Sequence, residues 1–109
     1  MPHLRFRNIQ TEHIKSLSKS LKKPLADIMK TTEDNFTFEK INSEFFEDGS
    51  SVTSYPFVEV LWFARTKEIQ DASAMMITNE IKKLVPHQDV VLVFTVAENT
   101  NYYENGKHF

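Results

Sequence analysis

The chain has no cysteine and only two glycines among its 109 residues. The first absence excludes disulfides, zinc–thiolate sites and thiol nucleophiles together. The second leaves no glycine-rich loop to cradle a phosphate, so nucleotide chemistry has no support. No apolar run approaches the roughly 20 residues that cross a bilayer, and no membrane partner is expected. Neither sign of charge dominates: a formal charge of −2 and a pI near 6.1 argue against nonspecific binding to nucleic acid. His3, His13, His87 and His108 show none of the paired spacings of a metal site, so neither metal nor cofactor is expected. Arg5 and Arg7 interrupt any apolar stretch that a signal peptide would need, which predicts a cytoplasmic protein.

What is present suits one small core: 40% of residues are hydrophobic, and at 12.7 kDa association with other copies would help bury apolar surface. The opening Pro2-His-Leu-Arg-Phe-Arg-Asn-Ile aligns with Pro56-Phe-Val-Glu-Val-Leu-Trp-Phe, 54 positions later, and each copy runs into a helical pattern. The repeat predicts a single domain, residues 1–109, of α+β class with α/β-type repeats. Two β-α-β units would form a four-stranded mixed sheet with two helices on one face, followed by a short hairpin. Repeat one covers about 2–43, a linker about 44–54, repeat two about 55–98 and the C-terminal hairpin about 99–109.

Within the first repeat, Ile14, Leu17, Leu21, Leu25 and Ile28 form one stripe of a helix from Thr11 to about Met29. Thr11 reads as its N-cap, and Pro24 should kink or break it around Lys22-Lys23. Lys15, Lys19, Lys22 and Lys23 share a polar face, read as solvated rather than as an anion or RNA patch. Asn35 to Asn42 alternates as a strand with Phe36 and Phe38 on one side. Residues 44–54 are polar and aperiodic and read as a turn or mobile loop, with Phe45 and Phe46 either walling a pocket or anchoring the loop.

The second repeat opens on Tyr55 to Ala64, apolar on both faces and so expected to be covered on two sides. Two helices cover only one face, which calls for a neighbouring subunit on the other. In register, Arg5 faces Glu59, predicting a structural ion pair, while Leu4, Phe6, Val58, Val60 and Trp62 share the apolar face. A helix from about Thr66 to Leu84 buries Ile69, Ala72 or Ser73, Met76, Ile77, Ile81 and Leu84, with Met75 on or near that stripe. Asp89 to Val96 is the last main strand. Asn105-Gly106 is a tight-turn signal that pairs Tyr102 and Tyr103 with Lys107, His108 and Phe109, and a tail so rich in aromatic area should dock on its own sheet or a neighbour's.

Pro2 is the candidate for chemistry. Loss of Met1 would leave a secondary amine at the start of a strand; α-amino groups titrate at roughly 7.7–8.0, and an apolar pocket with a neighbouring cation would pull one toward neutrality, as a general base requires. By position alone a proline merely starts a strand. With Met1 attached, its nitrogen is an amide and no base.

An N-terminal proline on a strand, two β-α-β repeats, a second proline-led strand at the midpoint and a C-terminal hairpin together resemble the tautomerase superfamily, which includes macrophage migration inhibitory factor. The resemblance is closer to a bacterial branch of uncharacterised small proteins with openings like Pro-His-Leu-Arg-Phe-Arg, a central Val-Glu-Val-Leu-Trp-Phe and an ending like Gly-x-His-Phe. It implies a tautomerase-like fold and a homotrimer with pockets at subunit boundaries. It also implies a small-molecule carbonyl or carboxylate substrate, and Pro2 as base or nucleophile in an isomerase of keto–enol type. On this resemblance Arg65 is the candidate for binding carboxylate or enolate, and Tyr102 and Tyr103 for lining the pocket. Larger members place a lysine shortly before the second strand; here the position holds Thr31-Thr32, with Lys30 beside it. The alternative function is a noncatalytic trimeric protein binding a small molecule or another protein.

Overall fold

The duplication seen in the sequence is a duplication of hydrogen bonds. A computed structural model describes residues 1–109. It places β1 (His3–Arg7) parallel to β2 (Thr37–Ile41) with His3 opposite Thr37, and β5 (Phe57–Trp62) parallel to β6 (Val91–Val96) with Phe57 opposite Val91. The two registers coincide when the chain is shifted by the same 54 positions. The carbonyl of Pro2 accepts from the Thr37 amide at 3.2 Å and that of Pro56 from the Val91 amide at 3.0 Å. Strands β1 and β5 then pair antiparallel, giving a sheet of order β2-β1-β5-β6. Arg5 meets Glu59 at the centre of that pairing, where the two repeats are related by a pseudo-twofold.

Strand alternation decides the layers. Leu4, Phe6, Val58, Val60 and Trp62 are fully buried under the helices, and the residues between them stay half-buried on a face that no helix covers. Strand β5 was expected to be covered on both sides; within one chain only its helix side is. The helices answer with Leu17, Leu21, Leu25 and Met29 from the first half and Ile77 and Ile81 from the second. Burying a side chain of this size contributes about 1.5–3 kcal/mol relative to leaving it exposed.

The single first helix of the sequence reading is two: α1 (Thr11–Ser20) and α2 (Lys22–Met29), so the chain has three α-helices with α3 (Lys67–Leu84). The break falls at Leu21, ahead of Lys22-Lys23. That position follows from proline chemistry, because the Pro24 ring conflicts with the carbonyl four residues before it, whereas in the first turn of a new helix its missing N–H costs nothing. The break also turns the buried stripe, so that Ala26 and Met29 are buried and Ile28 only partly. Gln10, not Thr11, is the N-cap of α1. In α3 the Thr66 hydroxyl does cap, accepting from the Ile69 amide at 3.3 Å, and the buried Ser73 hydroxyl donates to the Ile69 carbonyl at 2.7 Å. Met75 lies off the stripe, 61% exposed.

Each repeat ends in a hairpin. Residues 44–54 form β3 (Phe45–Glu47) and β4 (Ser50–Val52), joined at Asp48-Gly49, and the tail forms β7 (Tyr103–Glu104) and β8 (Lys107–His108), joined at Asn105-Gly106. All four turn residues have positive φ, between 50° and 82°, as the tight primed turns require. The segment read as a turn or mobile loop is therefore paired strand. With glycine confined to these turns, the left-handed positions after β1 and α2 fall to Asn8 and Lys30.

Candidate functional site

Pro2 lies at the end of the sheet where β5 finishes, and its side chain is fully buried. Beside it the chain leaves β5 through Phe63 and Arg65. The Arg65 guanidinium stacks over the Trp62 ring, 5.1 Å from its centroid, and Nη1 donates to the Phe63 carbonyl at 2.9 Å. That stack takes the guanidinium partly out of water, and burial lowers its pKa. Trp62 itself packs against Phe94 at 4.7 Å, with its indole N–H buried and unpaired.

The tail closes this end from above. The rings of Phe63, Tyr102 and Phe109 form a triangle with centroids 5.0–5.7 Å apart, and the Phe109 amide donates to the Tyr102 carbonyl at 3.0 Å. Tyr103 faces the other way, against His108, and is 62% exposed. The N-terminal amine, here that of the half-buried Met1, senses this assembly directly. Burial is the larger cause that lowers its pKa below the ordinary 8.0 and the positive charge of Arg65 the second, with Glu104 of β7 opposing them. Pro2, Arg65 and Tyr102 are thus gathered at one end of the sheet, and Tyr103 stands apart from them. Lys30 is exposed at the C-cap of α2.

Arg5 and Glu59 face each other in register but do not pair. Glu59 accepts from Arg7, and Arg5 Nε donates instead to Glu39 Oε1 at 3.2 Å. Strand β1 has two neighbours: β5 places Glu59 opposite Arg5, and β2 offers the carboxylate of Glu39 at the same level. Glu39 also accepts from His3 Nε2 at 2.7 Å, and that hydrogen bond, followed by the charges of His3 and Arg5, holds its carboxyl below the usual 4.5. No group of three or more histidine or acidic side chains is arranged to hold a metal.

A concavity sequence reasoning did not mark opens at the opposite end of the sheet, beside Pro56. It has a volume of about 400 Å³, and Asn8, Gln10, His13, Lys40 and Asn42 are among its lining residues.

The family model described as "Domain of unknown function (DUF1904)" matches residues 1–108. The chain belongs to the DUF1904 family. It is 37% identical to the crystal structure of a DUF1904 domain from Sebaldella termitidis, covering 100% of both chains with a TM-score of 0.94. It is 39% identical to a protein of unknown function from Vibrio cholerae, over 99% of this chain and 87% of that one, with a TM-score of 0.89. More distant likenesses show the fold alone. They include a macrophage migration inhibitory factor-like protein from Entamoeba histolytica (17% identity, 99% and 98% coverage, TM-score 0.76) and a fused 4-OT described as an asymmetric trimer (14%, 98% and 95%, 0.82). A search of curated proteins returned no match. The DUF1904 chain therefore has the tautomerase-like fold that its opening strand and repeat suggested, in a family whose own activity is uncharacterised.

Proposed function

We propose that this DUF1904 protein is a tautomerase-like enzyme that uses the amine of Pro2, freed by loss of Met1, as general base or nucleophile on a small carbonyl or carboxylate substrate. The observation that carries this reading is the setting of the chain start: the amine of Met1, one residue before Pro2, is held partly out of water beside Arg65, and both lower its pKa, as they would for the amine of Pro2 once Met1 is lost. In the reaction the amine takes a proton from the carbon next to a carbonyl; the C–H electron pair becomes the C=C bond of the enolate as the C=O π pair moves onto oxygen, and the amine returns the proton at a second position. Arg65 would stabilise the enolate oxygen or hold a substrate carboxylate, and Tyr102 would wall the pocket. The half-buried face of the sheet and the trimer named for the structurally similar fused 4-OT support a homotrimer whose neighbouring subunit completes that pocket.

A noncatalytic trimeric binding protein is the second reading, and one observation favours it: the Phe63–Tyr102–Phe109 triangle occupies this end of the sheet. Intact mass of untagged protein separates the two. Loss of one methionine, followed by keto–enol turnover that Pro2→Ala abolishes while the oligomer persists, is the expected result. Retention of Met1, or equal turnover in Pro2→Ala, ends the base assignment.

A further inference from the structure

The cleft beside Pro56 has the chemistry of an oxyanion site. Thirteen residues line it, of which only three are hydrophobic and none is acidic. Its volume of about 400 Å³ falls in the range of small-molecule sites, roughly 300–1,000 Å³. So polar a lining suits a hydrophilic ligand rather than a lipid or an aromatic one.

Charge inside the cleft is of one sign. Lys40, at the end of β2, donates to the Thr11 hydroxyl at 2.7 Å and takes part in none of the chain's ion pairs. That contact holds an ammonium against the first turn of α1, whose own partial charge is also positive. Glu12, the acid of that turn, is bonded to Lys15 at 3.2 Å on the solvent side. The Gln10 side chain makes no capping bond, and His13 Nδ1, one turn further on, is buried without a partner. A cation and a helix start, with no carboxylate lining the cleft, are an arrangement that an anion completes.

We propose that this cleft binds a small hydrophilic oxyanion, a carboxylate or phosphate carrying further hydroxyl or carbonyl groups. Lys40 supplies the charge and Gln10 and Asn42 the hydrogen bonds. The site stands apart from Pro2 and does not depend on the reading given above for that end of the sheet.

The test is a backbone-amide NMR titration of the full chain with inorganic phosphate and, separately, malonate, at ionic strength held constant with sodium chloride. Saturable shifts at residues 10–13 and 40–43 with one or both probes are expected, together with an affinity about tenfold weaker in Lys40→Gln and unchanged in Arg65→Gln. Lys40 is exposed, so its replacement leaves the fold intact. A saturating response to phosphate alone would assign a phosphate ligand, and to malonate alone a carboxylate. Shifts that chloride reproduces, that fail to saturate with either probe, or that Lys40→Gln leaves as they were would overturn the site.

Discussion

The two ends of the sheet are built on one backbone and do opposite things with it. At each, a buried proline opens a strand and its carbonyl accepts from the partner strand at 3.2 or 3.0 Å. At the Pro2 end the chain leaves the neighbouring strand through Trp62, Phe63 and Arg65; at the Pro56 end the corresponding positions are Asn8, Ile9 and Thr11. Aromatic area draws the tail hairpin down onto Phe63, and the cation beside it is stacked and partly dehydrated. The other hairpin, β3–β4, leaves Phe46 67% exposed, and a polar cleft stays open at that end. Registration of a sheet therefore comes from its strands, while the chemistry at its ends is decided by the three or four residues after each strand.

Exchanging roles at equivalent positions should give the largest effects. Trp62→Ala removes a fully buried ring in contact with Phe94 and should cost about 3–5 kcal/mol in urea denaturation. Asn8→Ala, its counterpart, loses donation to the Ser54 and Tyr55 carbonyls and places alanine at φ 61°; about 1–3 kcal/mol is expected, with Asn8→Gly recovering the backbone share. Equal costs at the two positions would mean that the ends are not differentiated as described. Tyr102→Ala breaks two sides of the aromatic triangle and should cost about 1–2 kcal/mol while raising proteolysis of residues 99–109.

How much of this was legible in the sequence depends on the range of the interaction. The 54-residue offset, the alternation of Leu4, Phe6, Val58 and Val60, the helix from about Thr66 to Leu84 and the Asn105-Gly106 turn are local or periodic signals, and the structure repeats them. The break at Leu21 was legible in Pro24 to within a residue, because the ring conflicts with the carbonyl four residues before it. Gly49 marked a turn, but the polar, aperiodic residues around it hid the two short strands that Asp48-Gly49 joins. The pairing of Arg5 with Glu39 instead of Glu59 needed the third strand, and the cleft beside Pro56 needed Lys40 and His13 to meet across 27 residues of sequence; neither is written in any short window.

The subtler comparison is electrostatic. Arg65→Ala removes a charge that lowers the pKa of the N-terminal amine, so that pKa should rise toward the ordinary 8.0, read from a nitrogen-detected NMR titration. Lys40→Ala, at the far end, should leave it in place. An amine that ignores Arg65 would leave burial as the sole cause and weaken the case for Arg65 beside the base.

The smallest effect lies on the open face. Glu39 is held below its usual 4.5 by His3 and then Arg5, so the native state binds its proton less readily than the unfolded chain. The stabilisation is complete above 4.5 and is lost as pH falls through the lowered value. Glu39→Gln should flatten that acid limb and leave stability at neutral pH little changed, because both side chains of the Arg5–Glu39 pair are largely exposed and screened. Urea midpoints measured from neutral pH down through the carboxylate range decide the matter. If instead Glu39→Gln weakens association of the chains at neutral pH, the carboxylate is covered in the assembled protein, and the half-buried face of β1 and β5 is where the copies meet.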